Sequence, residues 1–330
     1  MRAMLSTIGL LALFAAVPAL AQQGPSFECS KAANAVERTV CREPALAADD
    51  RKLAAVYARL IDMLEGPARE HAQKDQARWV INRSRACTDG STEIVRCLKQ
   101  RYDIRTAFLE TVAAGPYPFV SEQAIVKSGK VKAVRYNIDA SYPQFDGTWA
   151  NFKETNLFFA EIAKTGAADT VPDSGADADR DQTWSYDLNF AIYRPGQQAL
   201  SVVLRDYSFT GGAHGSGGVT GTLVDLKSGY MLAPSDLFAP GDGWRQSLRE
   251  MVVADLKKQF VERPGFDDAL EPAKMDKMLR ETRHYIWRPE GLAVAFNQYD
   301  IAAGVMGPYV VRISYDRLRP LLRPDAPVGN

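Results

Sequence analysis

Four cysteines carry the clearest chemistry in this 330-residue chain: Cys29, Cys41, Cys87 and Cys97. A cysteine serves as a nucleophile, a metal ligand or half of a disulfide. These four lack the C-x2-C spacing of zinc sites, and the rest of the chain has none. An even, clustered set behind an export-type N-terminus reads as a disulfide framework. Geometry suggests the partners. In a single helix rising about 1.5 Å per residue, Cys29 and Cys41 would lie roughly 18 Å apart, beyond the ~7 Å that a disulfide tolerates between Cα atoms. Asn34 with Glu37 three residues on marks a helix start, so the chain bends there and Cys29 can fold back on Cys41. Cys87 and Cys97 flank Asp89-Gly90 and can meet across a helical hairpin. Each short closed loop contributes about 3 kcal/mol in the chain-entropy model.

Of the 3 histidines, His71, His214 and His284, only His214 lies in a glycine-rich loop, Thr210–Gly218. On such a loop an imidazole acts as a base or enters a partner's cleft. The competing reading is structural: the glycines supply positive φ for a tight turn and His214 bonds the backbone. No G-x-S-x-G, H-E-x-x-H or S-x-x-K accompanies it, so no catalytic residue, metal ligand or cofactor is assigned. The segment Asp169–Asp181, with Asp173, Asp177 and Asp179, is acidic. Asp177-x-Asp179-x-Asp181 starts like a calcium loop, but Gln182 and Leu188 replace the required glycine and glutamate. It reads as a solvated loop whose charge steers a basic partner. Trp79 and Arg83, four apart, share a helix face, either as a recognition pair or as a core tryptophan under an arginine stem.

The elements that position these residues fall into two styles. Residues 1–21 have the form of a Sec-type signal peptide: Arg2, an apolar run, then Ala19-Leu20-Ala21 as the cleavage site. The expected location is the bacterial periplasm or the exterior, with no membrane span after cleavage. Residues 25–114 read as helices. Pro44 suits a first turn, and Leu46, Leu53, Val56, Tyr57, Leu60 and Leu64 recur at helical spacing until Gly66-Pro67 ends that helix. A third helix runs through Trp79 to Cys87, and a fourth buries Ile94, Leu98, Tyr102, Phe108 and Val112. From 116 to 325 the pattern turns to strands, as in Val134, Tyr136, Ile138 and Ala140, or Trp184, Tyr186, Leu188, Phe190 and Ile192. Helices fit 151–163 and 244–261. The expected class is α+β: a small disulfide-stapled helical domain, then an α+β domain with an antiparallel sheet. Ala113-Ala114-Gly115-Pro116 reads as a linker, so each half is expected to fold alone. With 40 basic and 40 acidic residues, no charge surplus exists for nucleic acid.

Two resemblances follow from these residues. Cys29-Ser-Lys-Ala, Glu37-x-x-x-Cys41, Pro44-x-Leu46, Asp50-x-x-Leu53-x-x-x-Tyr57, Trp79-x-x-x-Arg83-x-x-x-Cys87, Cys97-Leu98 and Arg105 resemble the LprI-type lysozyme-inhibitor N-terminal domain. Tyr142-Pro143-Gln144-Phe145, Gly211-Gly212-Ala213-His214-Gly215, Asp236-Leu237-Phe238, Phe296-x-x-Tyr299-x-Ile301-Ala302 and Ile313-Ser314-Tyr315 resemble the extracellular domain of RsiV-type anti-sigma factors. That domain also occurs beside PdaC-type peptidoglycan deacetylases. Asp300 stands where this pattern expects glutamate. The anti-sigma family's membrane helix and sigma-binding segment have no counterpart here, so its signalling role is not carried over. Together the resemblances imply a non-enzymatic binding protein that occludes the cleft of a lysozyme or related peptidoglycan-cleaving enzyme. Gly212, His214, Tyr299 and the three aspartates are the candidate contacts. A protein binding peptidoglycan or glycan is the alternative; a hydrolase with an unrecognised site is a third.

Overall fold

The computed structural model describes residues 24–89, 93–115, 120–147, 150–173 and 182–329. The signal peptide, Gly90, Pro116, and Asp177 and Asp179 lie outside them. Helix α1 spans Ala35–Arg42 and α2 Pro44–Met63. The Asn34 side chain accepts the Glu37 N–H at 2.9 Å, and the Glu37 carboxylate accepts the Ala33 N–H at 2.6 Å. The chain therefore turns at Asn34 as its cap chemistry requires. Pro44 occupies the first turn of α2. Gly66-Pro67 does not end α2, which closes at Met63, but opens α3, Gly66–Asp89. Gly66 takes φ +51° and Pro67 needs no N–H partner in a first turn. Helix α4 spans Ile94–Ala113. Both disulfides form as expected: Cys29–Cys41 and Cys87–Cys97, with Cα atoms 5.8 and 5.6 Å apart. Trp79 and Arg83 are buried at 3% and 5% exposure. The Arg83 guanidinium stacks 5.1 Å from the Trp79 ring and donates to Tyr102 Oη at 2.6 Å, which donates to Asp50 at 2.8 Å. That is a core assembly.

Beyond α4 come β1 (Val120–Val131), β2 (Val134–Phe145), α5 (Lys153–Thr170), β3 (Thr183–Tyr193), β4 (Ala199–Phe209) and β5 (Ser216–Asp225). Short α6 (Pro234–Leu237), long α7 (Gly243–Glu262) and α8 (Pro272–Met278) follow. Strands β6 (Tyr285–Arg288), β7 (Gly291–Phe296) and β8 (Tyr309–Ser314), and the short α9 (Tyr315–Leu318), complete the fold. The fold is α+β, but the main sheet is mixed. It runs β1-β2-β3-β4-β5, with β2 and β3 parallel and the other pairs antiparallel. A parallel pair needs a long crossover, which α5 supplies. The second sheet, β6-β7-β8, is antiparallel.

One hydrophobic core runs from α1–α4 into the main sheet, from Leu60 and Tyr102 through Phe108 to Phe190 and Leu204. The rings of Phe108 and Phe190 meet edge-on at 5.5 Å. A second core joins α7 and α8 to the small sheet around Phe238, Trp244, Trp287 and Tyr309. Strand β1 was not anticipated: Ser121, Glu122, Gln123, Lys127 and Lys130 make it too polar to read as a strand. Its carboxylate finds a partner only in three dimensions. Arg105, with 0% exposure, holds Asp75 at 2.5 Å and Glu122 at 3.5 Å, and the Glu122 N–H donates to Asp75 at 2.7 Å. These ion pairs tie α3, α4 and β1 together across the expected linker.

Candidate partner-binding surface

Three of the candidate residues converge. The β4–β5 hairpin carries Gly211 and Gly212 at φ +98° and +94°, a pair of left-handed residues that only glycine adopts freely. A Cβ on Gly212 would meet open space, so its backbone, not crowding, demands glycine there. At Gly215 the reason is contact: a Cβ would run into the Tyr207 ring. His214 stands exposed on this loop. Its Nδ1 lies 3.0 Å from the Gly215 carbonyl and its Nε2 lies 3.2 Å from Tyr299 Oη. The two rings stack at 6.4 Å and 22°. The structural role expected of His214 and its availability to a partner therefore coexist.

The β7–β8 loop delivers Tyr299. Ile301 and Ala302 anchor it at 0% and 2% exposure, while Tyr299 stays 52% exposed. Asp300 accepts the Asn297 N–H at 2.7 Å, and the Asn297 side chain bonds both N–H and C=O of Val219 on β5. Tyr299 itself has φ +69°, a conformation that costs a non-glycine residue energy and is concentrated at functional sites. Tyr207, whose ring packs at Gly215, and Val305, next to the Gly304 that abuts the Tyr299 ring, are 45% and 88% exposed. Gln182 and Trp184, where the acidic segment enters β3, border Gly211. Asp173 is exposed just after α5. Among the described residues no group of three His, Cys, Asp or Glu is arranged to hold a metal ion.

A second feature escaped sequence reasoning: a cleft of about 440 Å³ between α3–α4 and strands β1–β3. Asp139 and Asp187 occupy paired positions on the parallel strands β2 and β3 and line it with Asn137, Ser185 and Asn189. Arg101 pairs with Asp139 and reaches Ser141 Oγ at 3.4 Å. Burial lowers the Arg101 pKa and raises those of Glu122 and Asp187, with nearby guanidinium groups opposing both rises. The Asp187 carboxylate makes no hydrogen bond or ion pair with the described residues. The only hint in the chain was polar alternation along β2 and β3, which reads equally well as a solvated face.

The fold sets a disulfide-stapled helical region before an α+β region with loop-borne aromatics. Comparison with known families agrees. The model described as Lysozyme inhibitor LprI matches residues 29–109, that of Deacetylase PdaC residues 130–217, and that of DUF3298, a family of unknown function, residues 235–316. The chain thus joins an LprI-type domain to an RsiV-like region of the PdaC and DUF3298 kind. A DUF3298 family protein from Pseudomonas aeruginosa PAO1 is similar at 18% identity over 65% of this chain and 99% of its own, with a TM-score of 0.44. Another, from Bacteroides fragilis NCTC 9343, is similar at 18% identity over 62% and 94%, with a TM-score of 0.41. No curated protein matches the chain. Two disulfides fit an oxidising compartment outside the cytoplasm, and no helix among the described residues is long and apolar enough to cross a membrane.

Proposed function

We propose that this protein binds a lysozyme or a related peptidoglycan-cleaving enzyme and blocks its cleft without catalysing a reaction itself. The match of residues 29–109 to a lysozyme-inhibitor family carries this reading. The surface around His214 and Tyr299 supports it, because an exposed aromatic pair on anchored loops suits insertion into a concave partner. The mature chain is then periplasmic or secreted, and the α+β module supplies most of the affinity. Gly212 shapes the loop; Asp173, Asp177 and Asp179 steer a basic partner.

The test is inhibition of a c-type lysozyme in a cell-wall lysis assay. His214→Ala and Tyr299→Ala each truncate a side chain at the proposed contact. Each is expected to weaken inhibition by roughly tenfold or more through faster dissociation, about the effect of an interface residue worth ~1.4 kcal/mol. Neutralising Asp173, Asp177 and Asp179 slows association and flattens its salt dependence. Absence of binding to c-, g- and i-type lysozymes at high micromolar concentration removes the reading and promotes peptidoglycan or glycan binding. The match to Deacetylase PdaC favours a second reading, an enzyme acting on the wall. Acetate release from peptidoglycan by the purified chain would establish it.

A further inference from the structure

The cleft between the helices and the main sheet has a charge pattern that its own residues do not balance. Behind its floor, Arg105 lies between Asp75 and Glu122, and Arg78 approaches Asp75 at 3.6 Å. With Arg101, Asp139 and Asp187 added, three guanidinium groups face four carboxylates. Asp187, exposed at the cleft, has the attraction of Arg101 but makes no hydrogen bond or ion pair with the described residues. Asp139 adds a buried oxygen, Oδ1, with no hydrogen-bond partner among the described residues. Three cations, Arg85, Arg96 and Lys127, are exposed in the lining of the same cleft. Arg96 pairs with Glu93 at 3.1 Å, whereas Arg85 and Lys127 make no ion pair with the described residues.

Asn137, Ser128, Ser185 and Asn189 also line the cleft, donors and acceptors suited to peptide groups. Among the described residues no aromatic side chain lines the cleft, so a sugar ring would find nothing there to stack on. A volume of about 440 Å³ lies within the range of small-molecule sites. We propose that this cleft binds a short zwitterionic peptide, with its ammonium on Asp187 and its carboxylates toward Arg85 and Lys127. The site is separate from the surface around His214 and does not rest on the lysozyme reading.

Calorimetric titration of the mature full-length chain with the tripeptide alanyl-glutamyl-lysine tests it. The free tripeptide binds. Acetylating its amines, or amidating its carboxylates, weakens binding by about tenfold, the effect of one partly buried charge contact. Asp187→Asn abolishes the difference between free and acetylated peptide; the double variant Arg85→Gln with Lys127→Gln abolishes the difference between free and amidated, and Arg85→Gln alone narrows it. Both residues reach solvent at the cleft, and both variants keep the parent melting temperature. A muropeptide bearing the same stem binds comparably if the wall is the source and more weakly if free peptides are; either result upholds the site. No binding at millimolar peptide, equal affinity for the capped forms, or an unchanged affinity in Asp187→Asn would each overturn it. Lysozyme inhibition in Asp187→Asn, and peptide binding in His214→Ala, stay at parent values, so the two readings fail separately.

Discussion

His284 shows how one buried side chain sets a pH limit. It is fully buried, with Nδ1 2.7 Å from the Ala295 carbonyl and Nε2 without a hydrogen-bond partner among the described residues. Burial holds its pKa below the ordinary 6.5, assisted by Arg283 and opposed by the Ala295 hydrogen bond, Asp300 and Glu281. The ring is therefore neutral in the fold, and the 3.9 Å approaches of Glu281 and Asp300 are not ion pairs at neutral pH. Once unfolded, it takes up a proton near pH 6.5. The unfolded chain thus binds more protons as pH falls, and the stability linked to His284 is present above pH 6.5 and lost on acidification through its folded pKa. Melting temperatures from pH 7.5 to 5.5 should fall, with a shallower slope in His284→Gln. An identical slope in that variant would refute the assignment. The stretch affected includes Asp300, which shapes the loop presenting Tyr299.

Among the elements, β1 and the disulfides show two ways of holding marginal structure. Strand β1 pairs with β2 along its length, yet its inward polar residues are stabilised from outside the sheet, by Asp75 and Arg105. Removing one member of such a buried set leaves the others unpaired. Arg105→Ala is expected to cost about 3–5 kcal/mol in denaturant unfolding. A loss below about 1 kcal/mol would show that water replaces the guanidinium. The Cys87–Cys97 bridge closes a short loop between α3 and α4. Its replacement by a serine pair should cost about 3 kcal/mol, read as a shift of the urea midpoint at constant slope.

For the molecule as a whole, the helical module and the main sheet share a core and a buried ion network. The proposed boundary near residues 114–116 therefore separates two sequence modules that we expect to melt together. Calorimetry of the full chain should give one transition for α1–α4 and the main sheet, and Arg105→Ala should lower it as a unit. Two well-separated transitions, with residues 25–114 folded alone at parent stability, would restore independent folding. Coupling of this kind also keeps the cleft's two walls in register, which a ligand bridging them requires.

Local physics made much of this legible. Cap and turn signals lie within a few positions of the cysteines they bring together, so both disulfides were legible from Asn34, Glu37 and the Asp89-Gly90 sequence signal. Period-two and helical apolar patterns located β2, β3, β4, α2, α4 and α7, because burial of one face selects residue type at every second or every third to fourth position. The family resemblance rested on similarly short motifs. Tertiary structure alone decided the rest. The parallel pairing of β2 with β3 depends on where α5 packs, which no strand pattern states. Glu122 belongs to a strand because Arg105, 17 positions earlier, and Asp75 offset its burial. His214 meets Tyr299 across 85 positions. Asp187 is the exposed acid of a cleft because the helices roof the sheet there, and a polar residue on a strand carries no mark of what will stand opposite it.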